Sequence, residues 1–255
     1  MTHPTYFSDL KQFARSPAHY RYAVDHPTEP TRGMRVGTAV HHRVLGGRRD
    51  RAVVVFPGDS RRGKDWTAFQ ALHARPDRRA VDILTQPEWD DSEGPATAVL
   101  TDPVAQTLLR GAEYEVPLEW DDAGMRCATR GVDIVGPDYI AELKVSNSAE
   151  PEKFGRLALG MFYHAQLAFY LGGCVATSRN IQLAYIIAVE ADPPHAVTVL
   201  KLAPDVLAAG AKLCSAWMER LRVCQASNEW PGYAQAPVEW TLPEWMTPSV
   251  EMEDE

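Results

Sequence analysis

The stretch Gly131-Val-Asp-Ile-Val-Gly-Pro-Asp-Tyr-Ile-Ala-Glu-Leu-Lys144 constrains this chain more than any other. Two apolar runs flank Gly136-Pro137-Asp138, a turn signal, so the stretch reads as a β-hairpin. Side chains two apart on a strand leave the same face, which puts Glu142 beside Lys144. Asp133 can lie next to them on the neighbouring strand. Two carboxylates and an ammonium then converge at a sheet edge, a set suited to hold a divalent metal and an attacking water. Glu-x-Lys is common and usually forms a solvated cross-strand ion pair, so the pair alone decides nothing.

At 255 residues the chain can bury a substantial core, and its 45% hydrophobic and 24% charged residues are ordinary for a globular protein. Helices are expected over 8–15, from Ser16-Pro17 to about Val24, and over 36–46, ending at Gly46-Gly47. A short buried strand is expected at 52–56, a charged loop at 57–64, and helices at 66–75 and 101–110 with a helical region between them. Residues 113–120, 126–135 and 138–145 read as three successive strands, and 151–172 as one long helix opened by Pro151. Strands at 180–190 and 195–201 and a helix at 204–226 complete the pattern. One domain is expected over 1–229. The remainder, 230–255, carries three of the seven tryptophans and reads as an extended segment packed on the body, with a disordered acidic end.

Further motifs keep the hairpin company, in a fixed order. They are Tyr6-Phe7-Ser8-Asp9-Leu10-Lys11 with Ser16-Pro17-Ala18-His19-Tyr20, then Gly37-Thr38-Ala39-Val40-His41, then Glu115 on the preceding strand. After the hairpin come Gln166-x-x-x-Tyr170 and Trp230-Pro231-Gly232-Tyr233. Together with Asp133, Glu142 and Lys144 they resemble the PD-(D/E)XK nuclease superfamily. The resemblance is to its RecB-like and RecE/exonuclease VIII-like branch, which includes phage lambda exonuclease.

That resemblance implies an α/β fold with a restriction-endonuclease-like core (αβββαβ), a central mixed β-sheet flanked by helices, and a helical N-terminal elaboration. It implies Asp133, Glu142 and the Leu143 backbone carbonyl as ligands of Mg2+, with Mn2+ as a substitute. Lys144 would orient or help deprotonate the attacking water, and Gln166 and Tyr170 would fix the site. His41 would be a further metal ligand, with His42 beside it leaving the choice open. Glu115 would be another, although Glu113 and Glu119 share its strand parity. Arg130 would touch phosphate or brace a carboxylate. The implied activity is exonucleolytic, resecting linear duplex DNA 5′ to 3′ for phage or prophage recombination. The implied assembly is a ring-like homo-oligomer working with a single-strand annealing protein. An endonuclease, a flap or single-strand repair nuclease, and an inactive DNA-binding or assembly module are the alternatives.

The net charge of −8 is uneven. Residues 1–79 hold 15 Lys/Arg against 7 Asp/Glu, whereas residues 80–255 hold 11 against 27. A basic N-terminal third suits a DNA-gripping channel, and scattered charges would give the same average. Gly58-x4-Gly63-Lys64 matches most of a phosphate-binding loop, but Asp65 stands where the magnesium-binding hydroxyl belongs, so no ATP is expected. Arg61, Arg62 and Lys64 are instead candidate contacts to DNA phosphates on a mobile loop. Cys127, Cys174, Cys214 and Cys224 lack Cys-x2-Cys spacing, so neither zinc nor an iron–sulfur cluster is expected. No membrane span or leader is evident, which points to the cytoplasm of a bacterial or phage-infected cell.

Overall fold

A computed structural model describes residues 4–48, 51–74 and 80–242. Phe7–Leu10 (α1) leads into a 3-10 turn at Lys11–Ala14. Ser16 caps α2 (Pro17–Asp25), its hydroxyl accepting the His19 N–H at 3.3 Å. α3 (Arg32–Leu45) begins earlier than expected, at a Thr31 cap, and stops where Gly46 turns left-handed at φ 79°.

β1 (Arg51–Phe56) and β2 (Ala80–Thr85) form a separate two-stranded parallel sheet, with α4 (Lys64–His73) between them in sequence. β2 replaces part of the helical region expected there. Its partner strand lies far upstream, so the ladder that fixes it leaves no local trace in the sequence. β1 is half-buried except at Phe56, less covered than expected. Three short helices follow, α5 (Gln86–Asp90), α6 (Glu93–Thr101) and α7 (Pro103–Leu109).

The main sheet has the order β3-β4-β5-β6-β7, formed by Glu113–Asp122, Met125–Val135, Tyr139–Ser146, Leu183–Glu190 and Val197–Lys201. All neighbours are antiparallel except β5 and β6. That parallel pair needs a long crossover, supplied by α8 (Pro151–Gly160) and α9 (Tyr163–Ala176). A final helix, α10 (Pro204–Ser227), packs on α9. The expected single helix over 151–172 is thus two helices, broken where Phe162 adopts φ 61°. Apolar periodicity runs through both and hides the break. Phe162 is held there by its ring, edge-on to Trp217 at 5.3 Å.

The sheet is covered on both faces. Ile134, Leu143 and Ile187 pack with Val40, Val99 and Leu108 of α3, α6 and α7. Val135, Ile140 and Ile186 pack with Phe154 and Leu167 of α8 and α9. A third cluster joins Phe7, Leu10 and Phe13 to Phe169, Trp217 and Leu221, which pins the N-terminal segment beside β4. There Thr5 N–H donates to Arg126 at 2.8 Å, and Ala128 N–H donates to Thr5 at 3.0 Å. At the other end, Trp230 stacks on Tyr20 at 5.6 Å and Pro231 accepts the Ala18 N–H at 3.1 Å. Trp240 beyond them is 90% exposed, and the acidic end lies outside the described residues. The four cysteines are buried and unpaired. Among the described residues no helix is long and apolar enough to cross a membrane.

One buried carboxylate ties the small sheet to the body. Glu88 is 3% exposed, bonded to Arg35 at 2.6 Å, Arg61 at 2.8 Å and the Thr85 N–H at 2.9 Å. Burial pushes its pKa up, but Arg61, the Thr85 amide and Arg35 outweigh this and bring it down from 4.5 to about 2. A depressed folded-state pKa gives stability that is present above the unfolded value and lost as pH falls through the folded one, here a contribution on the order of 3 kcal/mol. Glu88→Gln is therefore expected to be less stable than wild type in urea at pH 6, with the gap narrowing as pH falls from 5 toward 2. A gap independent of pH would contradict this.

Candidate active site

The site lies where the central hairpin opens. β4 and β5 pair at Val135↔Ile140 and Ile134↔Ala141, next to the expected Gly136-Pro137-Asp138 turn, and then part. Past this point side chains take over the main-chain groups of Leu143. Its N–H donates to Asp133 Oδ2 at 2.8 Å, and its carbonyl accepts from His41 Nε2 at 2.9 Å. His41 reaches the fork from α3, with Nδ1 3.5 Å from Asp133 Oδ1. His42 turns instead toward Trp89, with ring centroids 5.8 Å apart. The structure therefore brings His41, not His42, to the hairpin.

Strand parity left three glutamates open, and their partners separate them. Glu113 pairs with Arg179 at 2.8 Å and Glu119 with Arg126 at 2.9 Å. Glu115 sits at φ 51°, close to a β3 irregularity between Val116 and Leu118. Its carboxylate joins His41 and Asp133, with one ligand atom from each within 4.8 Å of the others. Gly131 makes room, since a β-carbon there would come within 2.6 Å of Glu115 Oε2 and 3.3 Å of its backbone. A glycine inside a strand often marks such close backbone approach, and Gly131 is the one sequence signal that could have singled out Glu115.

Glu142 lies across Leu143 and is 5% exposed. Its Oε1 accepts from Lys144 Nζ at 2.7 Å and from Gln166 Nε2 at 2.8 Å. Gln166 also donates to the Tyr170 hydroxyl at 3.0 Å, so the helical pair acts as one brace. Glu142 Oε2 is buried with no hydrogen-bond partner among the described residues. The Lys144 ammonium stands 4.8 Å from the Tyr163 ring centroid. Tyr163 opens α9 directly after the helix break, and a continuous helix leaves no signal for that contact.

The charges are strongly coupled. Burial alone would neutralise His41, but Asp133 outweighs it and raises the imidazole to about 9. Burial opposes the charge on Asp133 too, yet His41, Lys144 and the Leu143 amide lower its pKa. Burial, then the charge of Asp133, raises Glu142, with Lys144 offsetting part of the shift. Burial and Asp133 raise Glu115 to about 7. Burial works against the Lys144 ammonium, but Glu142 and Asp133 hold its pKa above the ordinary lysine value. Burial, then Glu142, raises the Tyr170 phenol.

This donor set fits a hard divalent cation. Ligand atoms of His41, Glu115 and Asp133 converge; Glu142 is not among them, but its buried Oε2 has no hydrogen-bond partner among the described residues, a cost that a cation would relieve. The candidate DNA contacts are placed differently. Arg130 is exposed and lies over the Tyr6 ring at 4.8 Å, bracing no carboxylate among the described residues. Arg61 corrects the expectation of a mobile basic loop, because it pairs with Glu88, donates to the Ile83 carbonyl and covers Trp66 at 4.9 Å. Arg62 and Lys64 are exposed, and Lys64 begins α4.

A mixed sheet with acids and a lysine at the fork of its central hairpin defines the PD-(D/E)XK type of fold. The chain belongs to the DUF3799 family, described as a PDDEXK-like domain of unknown function, whose model matches residues 7–237. No curated protein matches the chain. The crystal structure of a "Putative exonuclease" from Eubacterium rectale shares the fold, with a TM-score of 0.64 at 13% identity, covering 92% of this chain and 91% of that one. LHK-Exo in complex with dAMP aligns at a TM-score of 0.30 and 14% identity, over 77% of this chain and 96% of that one, too loosely to support an inference.

Gly131→Ala is expected to displace Glu115 and weaken Mn2+ binding about tenfold, the usual effect of disturbing a ligand's support. Calorimetric titration of the two proteins checks this. Unchanged affinity would remove Glu115 from the ligand set.

Proposed function

We propose that this chain is a metal-dependent DNA exonuclease that hydrolyses phosphodiester bonds. The observation that carries the reading is the hairpin fork, where Asp133, Glu115 and His41 bring ligand atoms together, the Leu143 carbonyl accepts from His41, and Glu142 keeps a buried Oε2 with no hydrogen-bond partner among the described residues. Asp133, Glu142 and the Leu143 carbonyl, with His41 and Glu115, are the groups that would hold Mg2+ or Mn2+. Such an ion, when bound, lowers the pKa of a water and offsets charge on the transferring phosphoryl group.

The chain's own groups do the rest. Lys144 is held as an ammonium by Glu142, which suits it to orient the attacking water and offset developing charge rather than to accept a proton. Gln166, braced by Tyr170, fixes the Glu142 carboxylate so that one oxygen stays committed to donors and the other stays available. Burial of both acids keeps bulk water from loosening the arrangement.

The resemblance to RecE-like and lambda-type exonucleases, together with the exonuclease name of the Eubacterium rectale protein, favours end-dependent action on linear duplex DNA. By the same resemblance the strand is resected 5′ to 3′, in phage or prophage recombination in the bacterial cytoplasm. A ring-like homo-oligomer and a single-strand annealing partner complete the proposal.

Linear, 5′-phosphorylated duplex DNA with strand-specific end labels, incubated with Mg2+, tests it, with a covalently closed circle alongside. Wild type should degrade the linear DNA from its 5′ ends and spare the circle, and Lys144→Ala should lose at least about a hundredfold in rate, a loss of the size that removing one preorganised charge-stabilising group produces. Cutting of the circle would replace the exonuclease by an endonuclease. Inactivity of folded wild type with Mg2+ and Mn2+ on every DNA form would leave a binding or assembly module.

A further inference from the structure

Five arginines of the basic N-terminal third are tied to carboxylates. Arg35 and Arg61 hold Glu88, Arg51 holds Asp82 at 2.6 Å, Arg21 holds Asp25 at 2.8 Å, and Arg32 pairs with Asp91. Part of the positive charge of that segment is therefore spent on structure. Lys11 differs. It is half-buried in the 3-10 turn after α1, and among the described residues it has neither a hydrogen-bond partner nor an ion pair for its ammonium. Burial, and then the nearby charge of Lys144, holds its pKa below the ordinary lysine value. A half-buried ammonium that feels the charge of a second ammonium is unfavourable in the protein alone.

Its position is firmly set. Phe7, Leu10 and Phe13 anchor the segment in the core, and Thr5 pairs it to β4 through both its N–H and its carbonyl. β4 also carries Arg130, three residues before Asp133; the Arg130 guanidinium rests on the ring of Tyr6 at 4.8 Å and makes no ion pair among the described residues. Tyr6 is the residue that opens α1. Two cations with no ion pair among the described residues are thus tied to the one short segment from Tyr6 to Lys11, which is paired to β4 upstream of the candidate site.

We propose that Lys11 and Arg130 form a phosphate subsite beside the fork, gripping backbone phosphate of the DNA strand that enters the site. This rests on the nuclease reading above and adds a binding role for Lys11. A bound phosphate supplies the missing counter-charge to Lys11 and separates it electrostatically from Lys144. Arg130, preset on an aromatic face, offers its planar donors to the same strand.

Anisotropy of a labelled duplex, with Ca2+ replacing Mg2+, reads the subsite across a salt series. Lys11→Gln and Arg130→Gln should each weaken binding about three- to tenfold and reduce the slope of log affinity against log salt by roughly 0.7 to 0.9. Lys11→Arg should restore both quantities, and Lys212→Gln on α10 should leave them unchanged. Thermal melts separate binding from folding, because Lys11→Gln removes an unmatched charge and should melt at or above the wild-type temperature. An equal loss on 5′-phosphorylated and 5′-hydroxyl duplexes assigns an internal phosphodiester to the subsite, and a loss confined to the phosphorylated duplex assigns the terminal phosphate. Wild-type affinity and slope in Lys11→Gln, while wild type cleaves DNA, would overturn the subsite alone. A loss of affinity that tracks a fall in melting temperature would overturn it too. Wild type that neither binds nor cleaves DNA would overturn the nuclease reading with it.

Discussion

Everything at the site depends on the hydrogen bond from the Leu143 amide to Asp133. An antiparallel ladder would normally spend that amide and its carbonyl on the neighbouring strand. Here β4 and β5 separate after Ile134↔Ala141, and the freed backbone groups must find partners or remain unsatisfied. Asp133 supplies one and His41 the other. The same separation lets α3 reach in from one layer and α9 from the other, so a single opening in the ladder assembles groups distant in sequence.

The opening gathers like charges, and the surrounding cations keep them in place. Asp133 and Glu142 are 6% and 5% exposed, and buried carboxylates this close would not both stay ionised unaided. His41 supports the first and Lys144 the second. Glu115, raised to about 7, takes what remains of the repulsion. Such a balance is poor material for stability, since a buried pair rarely returns more than its desolvation costs. It is good material for a site whose ligands must be fixed before a cation or a strand arrives.

The hairpin was legible because its signals are local. A turn tripeptide, two apolar runs and a two-residue spacing are enough to put Glu142 and Lys144 on one face. Local signals also placed the Ser16 cap and the positions of the five main strands along the chain. What escaped depends on partners far along the chain. β2 needs β1, and the break before α9 is held by Trp217 of α10. Parity could not choose among Glu113, Glu115 and Glu119, because Arg179 and Arg126 decide which two turn away. Arg61 looked available in a glycine-bounded loop and is committed to Glu88, itself placed by a different segment. Periodicity reports which face a residue occupies and is silent about which charge waits opposite it.

The central claim, that the hairpin fork is a metal centre, is tested most directly by anomalous diffraction from crystals soaked in Mn2+. The account predicts a peak about 2.0 to 2.6 Å from oxygen atoms of Asp133, Glu142 and Leu143, within reach of His41 or Glu115. Mn2+ bound only elsewhere, in protein that cleaves DNA in solution, would contradict it.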